Sequence, residues 1–370
     1  MQAYRVLVST VVLGIIGCWA TASATPPRSA LPAAAASSVA TAPGQASALS
    51  HLPLATLQKR AEAGNADAQF ALGRRLFASK NPAKYPEAVT WYRKAAAQGN
   101  TDAEWALGSL SLVGRPEAGI PKDIPAGLAL LHKSLANGSV QHMYLYGYIA
   151  SVSGASSGNT AEMQEGVKWL RRAAAKGSSG AMATLGVMAL TGNYYGHGKR
   201  DPTSAQRWLL KAAKLGNSDA EEILGGAYAS GKIGIPADIA QALHWLNASA
   251  EQGNAAAQGF LAGMLMTGKY HAVRKPREAV FWARKAAAQD NAVGYYALGL
   301  AYQQGIGGER EDPASAWYNF ALAKRFGTKH ELPHVDQHLS AVADHVPAGE
   351  LSKLKARVSA VPLPKNKHHY

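Results

Sequence analysis

The pentapeptide His330-Glu331-Leu332-Pro333-His334 has the residue types of a helical zinc site, where two imidazoles one turn apart hold the metal and the glutamate acts as base. That chemistry needs both histidines on one helical face. Pro333 stands where the helix would have to continue; its ring removes a donor and clashes with the preceding turn. If a helix starts at Pro333, a favoured first position, His330 falls outside it. His334, His338 and His345 fall on one helical face, at i, i+4 and i+11, and carry a ligand type suited to a soft divalent metal. They run beside an apolar stripe of Val335, Leu339, Val342 and Val346, so the polar side of an ordinary amphipathic helix accounts for them more simply. The stretches Gly226–Lys232 (GAYASGK) and Gly263–Lys269 (GMLMTGK) approach a phosphate-cradling loop. Ile233 and Tyr270 stand where a hydroxyl would have to hold magnesium. The chain has no paired-cysteine metal motif. The sequence therefore points to no catalytic residue, no resident metal and no cofactor.

The elements that carry these residues are set by a repeat. Gly64, Gly99, Gly138, Gly177, Gly216, Gly253, Asp290 and Gly327 each precede Asn, Ser or Thr, at steps of 35, 39, 39, 39, 37, 37 and 37 residues. Positions are counted below from the first residue of this dipeptide. A period in this range marks a stack of helix pairs. Glycine suits the left-handed residue that ends one helix, and the following Asn, Ser or Thr caps the next. The two phosphate-loop near-matches occupy the same phase of this repeat, so repetition explains them.

Small residues recur four before the turn (Ala95, Ser134, Ala173, Ala212, Ser249, Ala286) and four after it (Ala68, Ala103, Ala181, Ala220, Ala257, Gly294). They predict close helix approach within each turn. His142 interrupts the second series, so the third repeat is expected to pack differently. Eight residues before the turn stands Trp91, Trp169, Trp208, Trp245 or Trp282, with Leu130 once. Each Trp is expected to bury about 150–250 Å² against a neighbouring repeat. Leu-Gly or a near variant follows at eight and nine after the turn, from Leu72-Gly73 to Leu298-Gly299.

Read together, A-x-x-W-h-x-+-A-A-x-x-G-N-x-x-A-x-x-x-L-G resembles the Sel-one-like repeat family, a branch of the tetratricopeptide superfamily. The likeness runs from about Leu54 to Gly327 and more faintly to Val358. It implies an all-α, right-handed superhelical solenoid of about seven tetratricopeptide-like helix pairs with a C-terminal helical cap. The unit exceeds the common period of about 34 residues, and the excess lies in loops such as Gly114–Pro125 and Gly192–Pro202. Trp317-Tyr318 is read as beginning the last second helix. Beyond it, a helix through Val335 to Val346 stopped by Pro347, and another over Glu350–Val358, supply the polar end that an exposed terminal repeat needs.

Two sets of side chains are candidate partner-binding residues. A cation stands five before the turn at Lys94, Lys133, Arg172, Lys211 and Lys285, with Ala248 the exception. Near a helix C-terminus it favours the helix dipole; stacked along the repeats it also forms a basic stripe for an acidic partner. Six after the turn stand Phe70, Trp105, Tyr144, Ala183, Glu222, Gly259 and Tyr296. First helices of such pairs usually line the concave face, where Phe70, Trp105, Tyr144, Tyr295 and Tyr296 would stack on a peptide or sugar; the resemblance equally implies an aromatic at this position for packing alone, which is the simpler reading.

Residues 1–24 read as an export signal: Arg5, an apolar run Val6–Gly17 and a cleavage site at Ala22-Ser23-Ala24. The run is short for a membrane span. Ile15-Ile16-Gly17-Cys18 also resembles a bacterial lipobox, in which 1–17 would be removed and Cys18 lipidated. Cys18 is the sole cysteine, so no disulfide forms within one chain. Residues 25–50, rich in Ala, Ser, Pro and Thr, read as a disordered tether; 51–327 as the solenoid; 328–358 as capping helices; 359–370 as a disordered basic tail. Net charge is +14. For an exported chain this favours acidic polysaccharide or peptidoglycan over nucleic acid, with membrane contact only through the leader or a lipidated Cys18. The resemblance implies a non-catalytic adaptor in the periplasm or on the outer membrane, binding one or more envelope proteins in exopolysaccharide export, secretion or wall remodelling. Direct binding of an acidic glycan is the alternative, and a metal-dependent hydrolase a remote one.

Overall fold

A computed structural model describes residues 49, 51–79, 81–192, 199–231, 234–328 and 331–362. The leader, Cys18, nearly all of the tether, His330 and residues 363–370 lie outside them. Seventeen α-helices occur among the described residues. They are α1 (Leu54–Glu62), α2 (Ala66–Ala78), α3 (Tyr85–Ala97), α4 (Thr101–Val113), α5 (Ile124–Ser134), α6 (Val140–Ser157), α7 (Thr160–Ala175) and α8 (Ser179–Thr191). Then follow α9 (Pro202–Lys214), α10 (Ser218–Ser230), α11 (Ile239–Glu251), α12 (Ala255–Thr267), α13 (Pro276–Ala287), α14 (Ala292–Gln304), α15 (Pro313–Phe326), α16 (Val335–Ala343) and α17 (Ala348–Ala360). The one extended contact among them is an isolated antiparallel bridge between Arg115 and Ile120. No described helix is long and apolar enough to cross a membrane.

The chain forms two compact units, divided between Ala181 and Met182 within α8. In the N-terminal unit α1 closes over α2 through Leu57, Ala61, Ala68 and Leu72. A second core holds Phe70, Tyr92, Trp105, Leu110, Leu131 and Ile149. In the C-terminal unit one continuous core runs from Ala229 through Leu261, Leu298 and Phe320 to Leu354 of α17.

The turns work as the repeat predicts. Gly99 has φ 81 and Asp290, which replaces glycine, still adopts φ 58. The next residue caps: Asn65, Asn100, Asn217 and Asn291 accept from the backbone N–H three residues on at 2.7–2.9 Å. Ser139 and Ser178 do so at 3.3 and 3.2 Å. Gly327 departs from the series, with φ −93 and ψ 179, because the chain leaves the repeat there. The small residues form a sealed seam, for Ala95 and Ala103 flank one turn without exposure, as do Ala212 and Ala220 the next but two. At Gly294 a Cβ would stand 2.6 Å from the Cβ of Ala286.

Three details correct the sequence reading. The tryptophans eight before the turn are only half-buried, Trp282 excepted. The deep position is one residue later, where Tyr92, Leu131, Leu170, Leu209, Leu246, Ala283 and Phe320 are fully enclosed. Second, α15 begins at Pro313, capped by Asp312, not at Trp317-Tyr318. Third, α16 ends at Ala343, so Pro347 caps α17 instead of stopping α16, and Val346 is buried from a turn. Helix α17 runs to Ala360, and Arg325 donates to the carbonyls of Ser359 (3.3 Å) and Val361 (2.6 Å), so residues 359–361 are held to the cap.

Candidate partner-binding surfaces

The motifs that suggested chemistry are not assembled. Glu331 and His334 precede α16 and share no helical face; Glu331 instead bonds its backbone N–H to Thr328. His334 meets Gln337 at 3.2 Å, His338 meets Gln303 at 2.8 Å, and His345 meets the carbonyl of Ala341 at 3.0 Å. His338 is a packing residue, stacked on Phe320 at 4.9 Å. Among the described residues no group of three metal-ligating side chains occurs. Both glycine-rich near-matches close helices, with Gly231 and Gly268 as left-handed C-caps. A helix C-terminus presents carbonyls and negative dipole, the reverse of what a phosphate needs.

The cations lie on the second helices, and all five are exposed. Four rest on the tryptophan three residues earlier. Lys94 lies over Trp91 at 4.3 Å, Arg172 over Trp169 at 4.5 Å, Lys211 over Trp208 at 5.1 Å and Lys285 over Trp282 at 5.0 Å. An i, i+3 spacing brings the pair together, and the ring face attracts the charge. Lys133 follows Leu130 and has no ring beneath it; its charge acts on Glu104. Trp245, whose partner position is Ala248, meets His244 edge-on instead.

The aromatic row lies on the first helices and divides in two. Phe70 and Trp105 are 0% and 1% exposed, so these two pack in the core and offer no face to a ligand in this conformation. For these two the packing reading of the position holds: Phe70 meets Tyr92 of α3 at 5.7 Å and Trp105 stacks on His142 of α6 at 5.3 Å. Tyr144, Tyr295 and Tyr296 are half-buried. Tyr295 stacks on Phe326 at 5.6 Å and donates to Asp290 at 3.1 Å. Burial and that carboxylate push its hydroxyl up to about 12. Tyr296 packs on Phe320 and His338.

A third set was missed in the sequence. Polar side chains on either side of a turn reach back to the first helix of the preceding pair. Gln98 donates to Gln69 at 2.7 Å and Asn100 to Asp67 at 2.8 Å. The same two bonds recur in the C-terminal unit, Gln252 to Glu221 at 2.7 Å and Asn254 to Asp219 at 3.2 Å. Gln289 donates to Gln258 at 2.9 Å in the following repeat. The signal was present as Asp at three and Gln or Glu at five after one turn, answered by Gln just before and Asn just after the next.

The exceptions to this pattern are informative. His142 takes the missing rung of the third repeat. Its Nε2 is 3.8 Å from Asp102, its Nδ1 is 3.1 Å from the carbonyl of Ser134, and its ring stacks on Trp105 at 5.3 Å. Burial holds its pKa below the ordinary histidine value. Ala256 stands where Asp67 and Asp219 stand in other repeats, and the buried amide nitrogen of Asn291 is left without a partner. Glu222 occupies the aromatic row itself and is 3% exposed. Burial, with the charge of Asp219 beside it, pushes its carboxyl up to about 8.

With this arrangement established, known proteins give a frame. The Sel1 repeat model matches seven consecutive stretches, 66–100, 101–139, 142–178, 179–217, 218–254, 255–291 and 292–325. The solved Sel1 repeat protein of Oxalobacter formigenes is 25% identical, with a TM-score of 0.57, covering 68% of this chain and 98% of its own. A protective antigen of uropathogenic Escherichia coli with an SLR fold is 20% identical over 86% of this chain and all of its own, with a TM-score of 0.37. A Sel1 repeat protein of Klebsiella pneumoniae is 26% identical over 56% of this chain and 96% of its own, with a TM-score of 0.35. No curated protein matches the chain.

Proposed function

Because the chain belongs to the Sel1 repeat family, whose members generally serve as protein-interaction scaffolds, we propose that it is a non-catalytic adaptor that holds partners together in a bacterial envelope. The observation that carries this reading is the use of the chain itself: seven repeats occupy residues 66–139 and 142–325, and their buried side chains build helix seams. Stacked repeats of this kind offer extended surfaces to other molecules. The leader-like residues 1–24 and the lipobox-like Cys18 support an exported location, with exopolysaccharide export, secretion or wall remodelling as the settings. Cross-linking pull-down from envelope extract with the full chain as bait tests the reading. A reproducible protein partner is expected; none at either low or moderate salt overturns it.

One observation favours a second reading, direct binding of an acidic glycan: Lys94, Arg172, Lys211 and Lys285 are exposed on half-buried or buried tryptophans. Binding of that kind weakens steeply with salt, and joint replacement of Lys94, Arg172 and Lys211 by Glu abolishes it. Retained binding in the triple variant removes the glycan reading.

A further inference from the structure

Three connections in the C-terminal unit share one frame. Gly231, Gly268 and Gly305 close the first helices α10, α12 and α14 in the left-handed region. Asp238, Lys275 and Asp312 stand at the start of the second helices that follow. Their backbone N–H groups donate to the carbonyls of Tyr228, Leu265 and Tyr302 at 2.9, 2.9 and 3.0 Å, so each loop is tied back at the same point.

The middle loop breaks the pattern it shares. Tyr270 and His271 adopt φ 61 and 63, where the next loop places Gly307 and Gly308 at φ 75 and 95. Side chains in this region carry a strain that glycine avoids. Asp238 and Asp312 cap their helices by accepting from a backbone N–H at 3.0 Å, whereas Lys275 makes no such cap. Local rules kept by two loops and given up in the third point to a use for the third.

What that loop presents instead lies on its surface. Val273 is 75% exposed, more than any other large apolar side chain among the described residues. Lys269, His271, Arg274, Lys275 and Arg277 are exposed around it in the chain, with no acid from 268 to 277. The next loop carries Arg310 in place of Val273, with Glu309, Glu311 and Asp312 about it. The basic loop is also held in shape. Tyr270 stacks on Phe260 of α12 at 5.8 Å, Ala272 is buried, and Nε of Arg274 donates to the carbonyl of Met266 at 3.0 Å.

We propose that residues 268–277 form a membrane-contact loop that seats on an anionic phospholipid surface, with Val273 entering the interface between cations. An acidic glycan uses the cations alone, and an apolar side chain standing clear of any groove gains nothing from it. A layer of anionic headgroups over acyl chains rewards both the charge and the valine. The contact is peripheral, separate from the leader and Cys18, and needs no protein partner.

The test sediments the full chain with phosphatidylcholine vesicles, with and without phosphatidylglycerol; the leader is common to every variant. Wild type is expected to prefer the anionic vesicles. Lys269→Gln combined with Lys275→Gln is expected to weaken that binding about 30-fold, from about fivefold for each cation near the surface. Val273→Ser is expected to weaken it about fivefold, and Tyr270→Gly combined with His271→Gly, which frees the loop, about tenfold. Lys94→Gln combined with Lys211→Gln removes equal charge elsewhere and is expected to change it by no more than about threefold. Thermal unfolding shows that each variant folds. Equal binding to both vesicle types, full binding by Val273→Ser or by the glycine pair, or equal losses in the two lysine pairs each overturns the proposal. Soluble polyglutamate bound with the same dependence on Lys269, Lys275 and Val273 assigns the loop to an acidic peptide and overturns it as well.

Discussion

At the scale of single residues, Glu222 is the clearest conflict between position and chemistry. Its place in the repeat is filled elsewhere by Phe70, Trp105 or Tyr296, and a carboxyl there is buried like them. A folded pKa of about 8 lies above the unfolded value of 4.5. The folded state therefore holds a proton that the unfolded state releases between those values, and stability falls as pH rises through that window. Glu222→Gln removes the titration while keeping the shape. Thermal melts are expected to show a Tm higher than wild type by roughly 2–6 °C at pH 8, and a smaller difference at pH 5. An equal difference at both pH values means that Glu222 is ionised in the fold. His142 acts in the opposite sense: its depressed pKa makes the N-terminal unit less stable as pH falls below the ordinary histidine value.

Among the elements, the turn does two jobs with one asparagine. Asn254 caps α12 and also bridges to Asp219 of the preceding repeat, whereas Asn291 caps α14 and leaves its amide nitrogen unpaired. Asn254→Ala is expected to cost about 2 kcal/mol and Asn291→Ala about 1 kcal/mol, since the second change also removes a buried unsatisfied donor. Urea denaturation of the two variants measures this, and equal losses mean the bridge contributes nothing. Turns, caps, small-residue seams and the family itself were legible in the sequence, because backbone geometry restricts those positions to few residue types. The depth of the tryptophans was not. Helical phase places residues eight and seven before the turn about 100° apart, and only packing against the next helix decides that Leu209 is enclosed while Trp208 stays half-covered. The same limit left Phe70 and Trp105 open to two readings, and packing decides for the core. The cation–tryptophan pairs needed only i, i+3 spacing, which the sequence already displayed.

For the whole molecule, each repeat leans mainly on its neighbours, so damage is expected to stay local. Ala257 is fully buried four residues after its turn. Ala257→Leu overpacks that seam at a cost of about 1–3 kcal/mol. Hydrogen exchange is expected to quicken in α10 to α14 while α2 to α5 keep wild-type protection. Uniform loss across both units means that the chain unfolds as one cooperative block.

The polar bridges have a consequence for how such a chain is composed. Asp67 with Gln69 and Asp219 with Glu221 offer similar acceptors, and Gln98 with Asn100 and Gln252 with Asn254 answer them with the same donors. Those modules are interchangeable parts with a common coupling, and a tandem copying error between them would join without a misfit. Asp102 is coupled instead through His142, and Ala256 has no coupling of this kind to offer Asn291. The mismatched joints work as a written order for the modules: they mark where a copy may be inserted and where the sequence of parts must stand as it is.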